Sequence, residues 1–109
     1  MANTFKLKTK ANVGVTTVGI YTAPAATTTV VIGITMANTS GSGVNVGVGI
    51  TRAGTTKDVK LLKNAPIPSG SSLEFMSGNK IVLEATDTVT VDSDTNNSVD
   101  ASLTIMEIT

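Results

Sequence analysis

The sequence predicts an all-β fold, an antiparallel β-sandwich of jelly-roll or immunoglobulin-like topology with about eight strands. Three observations favour this fold class. Thr and Val are the two commonest residues, and their branching at Cβ suits a pleated, half-buried surface. Short hydrophobic runs alternate with period two, and turn residues separate them at the spacing of a β-sandwich. Helical periodicity is absent. We therefore expect one β-sandwich domain over residues 1–109.

The first predicted strand is "TFKLKTK", where Phe5, Leu7 and Thr9 alternate with three lysines. It lies in a short basic N-terminal arm or edge strand, residues 1–12. The alternating lysines are Lys6, Lys8 and Lys10. Two interpretations remain open: they deter unwanted pairing along an edge strand, or they dock on an acidic neighbour in an assembly.

Three further strands are predicted before residue 52. "TTVGIYTAP" ends at Ala23-Pro24, and "TTTVVIGITMAN" precedes a Ser/Gly-rich loop. In the latter, alternation places Val30, Ile32, Ile34 and Met36 on one face and Val31, Gly33, Thr35 and Ala37 on the other. In "VNVGVGITR", Val44, Val46, Val48 and Ile50 alternate with Asn45, Gly47, Gly49 and Thr51.

The second half of the chain contains shorter predicted strands: "VKLLKNA", "LEF", "KIVLEA", "TVTVDS" and the closing "VDASLTIMEIT". The prolines of "PIPSGSS" fix φ and lack backbone donors, so this corner should lie outside any central ladder. Across the chain, the positions predicted to form the core are Ile20, Val30, Ile32, Ile34, Val46, Val48, Leu61, Leu83, Val89, Val91, Leu103 and Ile105.

The Gly-x-Gly at Gly47 and Gly49 could indicate a phosphate-binding loop. A dinucleotide fingerprint needs a third Gly and a following helix, and a P-loop needs Gly-Lys-Ser/Thr; neither is present. Glycine inside a strand costs about 0.5–1 kcal/mol relative to Ala, so close approach of another backbone is the expected reason for it. We predict that this face, with Gly33 and Thr35 on a matching smooth face, packs against a neighbouring sheet or subunit.

Asp92, Asp94 and Asn96 have the spacing of the first half of an EF-hand calcium loop. Asn97 stands where that loop needs Gly, Leu103 stands where it needs Glu, and no helical pattern flanks the segment. A solvated turn between two strands is therefore the favoured interpretation, with a weak calcium site as the alternative.

Composition narrows the classes of function. The chain contains no Cys and no His, which removes thiolate chemistry and the commonest general base and metal ligand. Eight basic and eight acidic residues balance, so no basic excess indicates nucleic-acid binding. No segment has the length of a membrane span or the pattern of a signal peptide. Together these features predict a protein that is not an enzyme, needs no cofactor, and has no nucleic-acid or membrane partner.

A family resemblance adds to this interpretation. "VGIYTAPAATTTVVIGITMANTSGSGVNVGVGI", "NAPIPSGSSLEF" and "NKIVLEATDTVTVDS" resemble segments of small β-sandwich virion structural proteins of tailed bacteriophages, of a cyanophage-like kind. The resemblance covers most of the chain from Val18 onwards.

It implies a non-enzymatic structural subunit of the virion, assembled in the host cytoplasm. Such a subunit would self-associate as a homo-oligomer and attach to other virion proteins of the capsid or tail, as capsid decoration or as a tail, neck or fibre component. The alternative is a receptor- or carbohydrate-binding module at a fibre tip.

Overall fold

The computed structural model describes residues 3–54, 58–75 and 80–109, and these residues form nine β-strands and no helix. No helix within these ranges could therefore span a membrane. The strands are β1 (Asn3–Val13), β2 (Val18–Thr22), β3 (Thr28–Asn38), β4 (Val44–Thr51), β5 (Asp58–Ile67), β6 (Ser72–Phe75), β7 (Ile81–Leu83), β8 (Thr88–Ser93) and β9 (Val99–Ile108).

The strands form two antiparallel sheets, which confirms the predicted β-sandwich. Sheet A has the order β1-β9-β3-β6, with β7 also paired to β3, and sheet B has the order β2-β8-β4-β5. β6 and β7 pair with opposite ends of β3, so together they occupy one edge position. With β6 and β7 counted as one position, each sheet has four strand positions. The chain crosses repeatedly between the two sheets, and this strand order is that of a jelly roll. The structure thus decides between the two predicted topologies.

The core lies between the sheets and is aliphatic. Most of the predicted core positions are buried, namely Ile34, Val46, Val48, Leu83, Val89, Val91, Leu103 and Ile105. Ile20 and Leu61 are only partly buried but pack against this core. In β4 the predicted alternation is confirmed, because Val44, Val46, Val48 and Ile50 all belong to the core.

The prediction for β3 is wrong in its first half. The register with β9 shifts between Val31 and Gly33, so Ile32 is the extra residue of a β-bulge. Because one inserted residue reverses the alternation, Val31 is buried whereas Val30 and Ile32 lie outside the core. After the bulge, Ile34 and Met36 point inward as predicted.

The proline-containing segment lies at the edge of sheet B. Pro66 belongs to β5, which is an edge strand paired only with β4 among the described strands. A missing backbone N–H is tolerated at an edge because no further strand needs the donor. The prediction that this corner avoids a central ladder is confirmed.

Candidate interaction surfaces

The lysines of β1 point toward the core side of sheet A. Lys6, Lys8 and Lys10 stand directly opposite Ile105, Leu103 and Ala101 of β9, and these three partners are buried. Directly opposed residues in an antiparallel pair share a face. The edge strand therefore carries inward-pointing charges, an arrangement that deters a further strand from pairing along its free edge. This geometry favours the first of the two interpretations of the lysines; their role as interface residues stays a prediction.

Lys6 has a partner inside the molecule. Its Nζ lies 2.8 Å from Oε1 of Glu107, whose side chain is buried at the end of the core. The hydroxyl of Tyr21 donates to Oε2 of the same carboxylate at 2.6 Å and lies 2.9 Å from Oγ1 of Thr29. Lys8 places its Nζ 6.0 Å from the centre of the Tyr21 ring.

The pKa values of this cluster follow from its contacts. Lys6, and then the Tyr21 hydroxyl, stabilise the Glu107 carboxylate and lower its pKa although burial opposes them. Burial, and then the hydrogen bond to Glu107, raise the pKa of Tyr21 to about 12. The buried carboxylate of Glu107 is thus balanced by the ammonium group of Lys6, which stays partly exposed.

The opposite side of β1 is apolar and faces solvent. Phe5 is 69% exposed and Leu7 is 66% exposed. Phe5 stands opposite Met106 of β9, Met106 opposite Val30 of β3, and Val30 opposite Val82 of β7. These four side chains form a row across the outer face of sheet A, which we call the apolar row. Val82 at its far end is 60% exposed.

Two parallel rows follow on the same face. Leu7, Thr104 and Gly33 stand opposite one another across β1, β9 and β3 and form the central row. Thr9, Ser102 and Thr35 form the hydroxyl row beyond it. Successive rows are two residues apart along β1 and β9, or about 7 Å, and on β3 the bulge at Ile32 adds one residue between Val30 and Gly33. The outer face of sheet A therefore changes from large apolar side chains to small ones along the strands.

A shallow concavity of about 390 Å³ lies at the small-residue end of this face. Its lining consists of Thr9, Lys10, Ala11, Thr35, Ala37, Asp100, Ala101 and Ser102. Gly33 borders on open space, since a Cβ built there meets no atom within 4 Å. Gly33 and Thr35, predicted from the sequence as interface residues, therefore lie on a smooth outer surface; their contact with another subunit stays a prediction.

Gly47 and Gly49 of β4 lie on the outer face of sheet B, and carboxylates of the same chain cover them. A Cβ at Gly47 would stand 2.6 Å from Oδ1 of Asp92 and 3.2 Å from the carbonyl oxygen of Leu62. A Cβ at Gly49 would stand 2.5 Å from Oδ2 of Asp58. Close approach thus explains both glycines, but the approaching groups belong to neighbouring strands of the same sheet.

The two covering carboxylates share one lysine. Nζ of Lys60 lies 2.8 Å from Oδ2 of Asp58 and 3.1 Å from Oδ2 of Asp92. Thr90 donates to Oδ1 of Asp58 at 2.8 Å, and Thr17 donates to Oδ2 of Asp92 at 3.0 Å.

Burial would raise the pKa of Asp58, but Lys60 and Thr90 outweigh it and lower that pKa. The hydrogen bond with Asp58 raises the pKa of Lys60 despite partial burial. The expectation that Gly47 and Gly49 share a smooth face with Gly33 is therefore wrong, because β3 and β4 belong to different sheets and the face over these two glycines is charged. Their contact with another subunit stays a prediction.

The candidate calcium ligands have separate partners. Asp92 binds Lys60 and Thr17, whereas Asp94 accepts a hydrogen bond from the backbone N–H of Asn45 at 3.1 Å. Oδ1 of Asn96 lies 3.4 Å from the backbone nitrogen of Val15. Within residues 3–54, 58–75 and 80–109, no group of three or more His, Cys, Asp or Glu side chains is placed to hold a metal ion. The geometry favours the turn interpretation.

A second concavity, of about 470 Å³, lies beside Arg52. The buried carboxylate of Asp87 accepts from Nε of Arg52 at 3.1 Å and from the backbone N–H groups of Ala53 and Glu84 at 2.9 Å each. The Arg52 guanidinium also pairs with the Glu84 carboxylate. Burial would raise the pKa of Asp87, but these donors outweigh it and lower the pKa. The arrangement ties the start of the turn after β4 to the turn before β8.

Sequence reasoning missed the buried charge at Glu107 and the partly buried charge at Asp58. The signal for Glu107 was present, because it continues the inward phase of Val99, Ala101, Leu103 and Ile105 in β9. For Asp58 the sequence carried no such signal, since two register shifts between β4 and β5 set its position over Gly49.

The comparisons with known proteins bear on the fold. No family model matches the chain, and no curated protein does. The structure is similar to a chain from Bacillus endospore appendages, which are described as a novel family of disulfide-linked pili. The TM-score is 0.60 at 15% sequence identity, and the match covers 99% of this chain and 87% of that chain. This likeness concerns the fold alone.

Proposed function

We propose that the protein is a non-enzymatic structural subunit that self-associates. The observation that carries this proposal is the apolar row on the outer face of sheet A. Phe5 and Val82 are largely exposed at its two ends, and Leu7 adds to it from the next row. Contiguous exposed apolar surface on a folded domain marks an interaction site. An assembly that covers this face removes it from water.

The fold gives independent support for a building block. The structural neighbour is a subunit of a pilus, a polymer of repeated copies. That neighbour's pili are disulfide-linked, whereas this sequence contains no Cys. Contacts between copies of this chain would therefore be non-covalent and would depend on apolar surface and shape.

We propose further that the assembly is part of a bacteriophage virion, formed in the host cytoplasm. The support is the resemblance of "VGIYTAPAATTTVVIGITMANTSGSGVNVGVGI" and the two later segments to small virion structural proteins. In this proposal the partners are further copies of the chain and other capsid or tail proteins. The balanced net charge supports a subunit that exists mainly in an assembly, because near-neutral proteins associate readily.

Two experiments test the proposal. Size-exclusion chromatography with light scattering, over a range of protein concentrations, is expected to show a defined oligomer. A monomer at every concentration would contradict self-association. Labelling with a specific antibody and electron microscopy of intact virus particles is expected to mark one site on the particle, and unlabelled particles would contradict the virion assignment.

The fibre-tip alternative has its own readout. A carbohydrate-binding module would give signal on a glycan array, whereas a structural subunit gives only background. The ring of Tyr21 is buried, and its hydroxyl is engaged with Glu107, so it offers no stacking surface. Phe5, however, is exposed on the outer face of sheet A, so the glycan array decides between the two functions.

A further inference from the structure

The three rows on the outer face of sheet A are arranged symmetrically about the central row. The apolar row lies two residues to one side of Leu7 and Thr104, and the hydroxyl row lies two residues to the other side. On β3 the bulge at Ile32 places Val30 three residues from Gly33, but the pairing with β9 keeps Val30 in the apolar row. The first row projects large side chains, and the second borders a concavity of about 390 Å³. One end of the face is therefore raised and the other is recessed.

We infer that this face binds the same face of a second copy through a two-fold axis. The axis would run parallel to the sheets and across the strands, along the central row. Rotation by half a turn about it reverses the strand direction and leaves each strand over its own counterpart. The raised end of each copy then meets the recessed end of the other. This inference rests on the proposed self-association and specifies the surface that carries it.

The contacts across this axis follow from the register. Phe5 of one copy lies over Thr9 of the other, and Met106 lies over Ser102. Gly33 lies at the axis, where an absent side chain lets the two sheets approach; no atom stands within 4 Å of a Cβ built there. A contact that maps a surface onto itself in this way is isologous and closes at two copies.

The size and charge of the face are compatible with a second copy of the chain as its partner. β1, β9 and β3 are each ten or eleven residues long. Three such strands give a face about 35 Å long and about 14 Å wide, or roughly 490 Å² in projection. This is somewhat more than half of the roughly 800 Å² per partner of a standard interface. Across β1, β9 and β3 the three rows contain no ionisable side chain, so their mutual contacts bring no like charges together. Charged groups border these rows: Glu74 stands opposite Thr35 on β6, and Lys10 and Asp100 line the concavity. The free edge of β1 is a poorer surface for self-association because its lysines point inward.

A charge-exchange experiment in the full chain tests the geometry. Phe5→Lys and Thr9→Glu each introduce two unfavourable contacts in a homodimer, because each contact occurs twice. Each variant alone is expected to raise the dissociation constant of the dimer by at least about tenfold. In a mixture of the two variants, a heterodimer has one Lys-Glu pair and one unchanged Phe5-Thr9 contact. Mixing is therefore expected to restore dimers, measured by light scattering.

The control is Thr16→Lys, an exposed threonine in the turn after β1 and outside this face. It is expected to leave the oligomer unchanged. Because Phe5 and Thr9 are both exposed, the variants should stay folded, and circular dichroism checks this.

A single Thr104→Cys gives a second measurement, because the sequence has no other Cys. Thr104 is exposed on the central row, so a short bis-maleimide should join two copies, whereas the matched Thr16→Cys should stay unjoined.

The outcomes separate the two proposals. A wild-type protein that is monomeric at every concentration overturns both. An oligomer that the two charge variants leave intact, or that mixing fails to restore, overturns this interface while self-association through another surface stands.

Discussion

The Asp58 carboxylate lies directly over Gly49, so that a Cβ on this glycine would stand 2.5 Å from Oδ2 of Asp58 and 2.6 Å from Oδ1. Thr90 and Lys60 hold the carboxylate in place. The glycine is thus required by a side chain of the neighbouring edge strand.

Gly49→Ala is expected to destabilise the protein by about 1–3 kcal/mol, because the new methyl group displaces a carboxylate that is fixed by its partners. Gly41→Ala is the matched control, in the loop after β3 and outside the face proposed as the interface. It meets open space and should be neutral or stabilising by up to about 1 kcal/mol. Urea unfolding measures both.

A double-mutant cycle isolates the cause. In an Asp58→Ala background the clash is absent, so Gly49→Ala should cost less than it does in the wild type. Equal costs in the two backgrounds would contradict the assignment of this glycine to Asp58.

Tyr21 is expected to titrate far above its ordinary range. It is the single Tyr of a chain without Trp, so ultraviolet absorbance reports its ionisation alone. Its pKa in the folded protein is about 12, raised by burial and by Glu107 from 10.0. The associated stability is complete below pH 10 and is lost as the pH rises through 12. Tyr21→Phe should lack this alkaline loss, and an absorbance midpoint near 10 in the folded protein would contradict the buried pair with Glu107.

Asp87 is expected to contribute stability that disappears in acid. Its pKa in the folded state is lowered below the ordinary 3.8, so the contribution is present above that value and is lost as the pH falls through the folded pKa. Asp87→Asn should cost about 1–3 kcal/mol at neutral pH, since it weakens charge-assisted bonds to Arg52 and two backbone donors. The difference from wild type should shrink at low pH.

Asp94→Asn serves as the exposed control for Asp87, and it is expected to change stability by less than about 1 kcal/mol. A difference between Asp87→Asn and wild type that does not depend on pH would show that shape, not charge, is what the site requires.

Asn38 is expected to be intolerant of a conservative change. Its buried Nδ2 donates to the carbonyl oxygens of Ser42 and Ile67 at 2.9 Å each, while Oδ1 accepts from the N–H of Ser40 at 2.9 Å. Asn38→Asp replaces the donor with an acceptor facing two carbonyls and should cost about 1–3 kcal/mol or more. Asn3→Asp, at an exposed position of β1, should have little effect on unfolding in urea. Equal costs at the two positions would contradict this bonding pattern.

The sequence predicted the fold class and most of the core because alternation is a local signal. It failed at Val30 and Ile32, where a one-residue bulge reversed the phase. Bulges depend on the partner strand, so the run "TTTVVIGITMAN" alone does not reveal them. The same applies to Gly47 and Gly49, where the sequence indicated a close approach but not that Asp92 and Asp58 make it.

Placement on the candidate surface could be predicted only in part. The alternation of Phe5 and Leu7 with the lysines was visible, but the natural assumption is that apolar side chains face the core. The pairing with β9 places the lysines on that side instead. No residue within β1 carries this information, because it resides in the register with a strand about a hundred residues away.

The bulge at Ile32 divides β3 into two halves in which the alternation of buried and outward-facing residues has opposite phase. Deleting Ile32 would remove the surplus residue and leave a regular ladder with β9, in which Val31 stays inward and Val30 and Thr29 keep their present faces. Losing the bulge while keeping Ile32 would have the opposite effect. With the second half anchored by Ile34 and Met36, Val30 would then turn inward and Thr29 outward, which would remove the middle of the apolar row and the hydroxyl partner of Tyr21 together. The bulge thus lets a strand with one extra residue keep both its outer apolar side chains and its buried hydroxyl group.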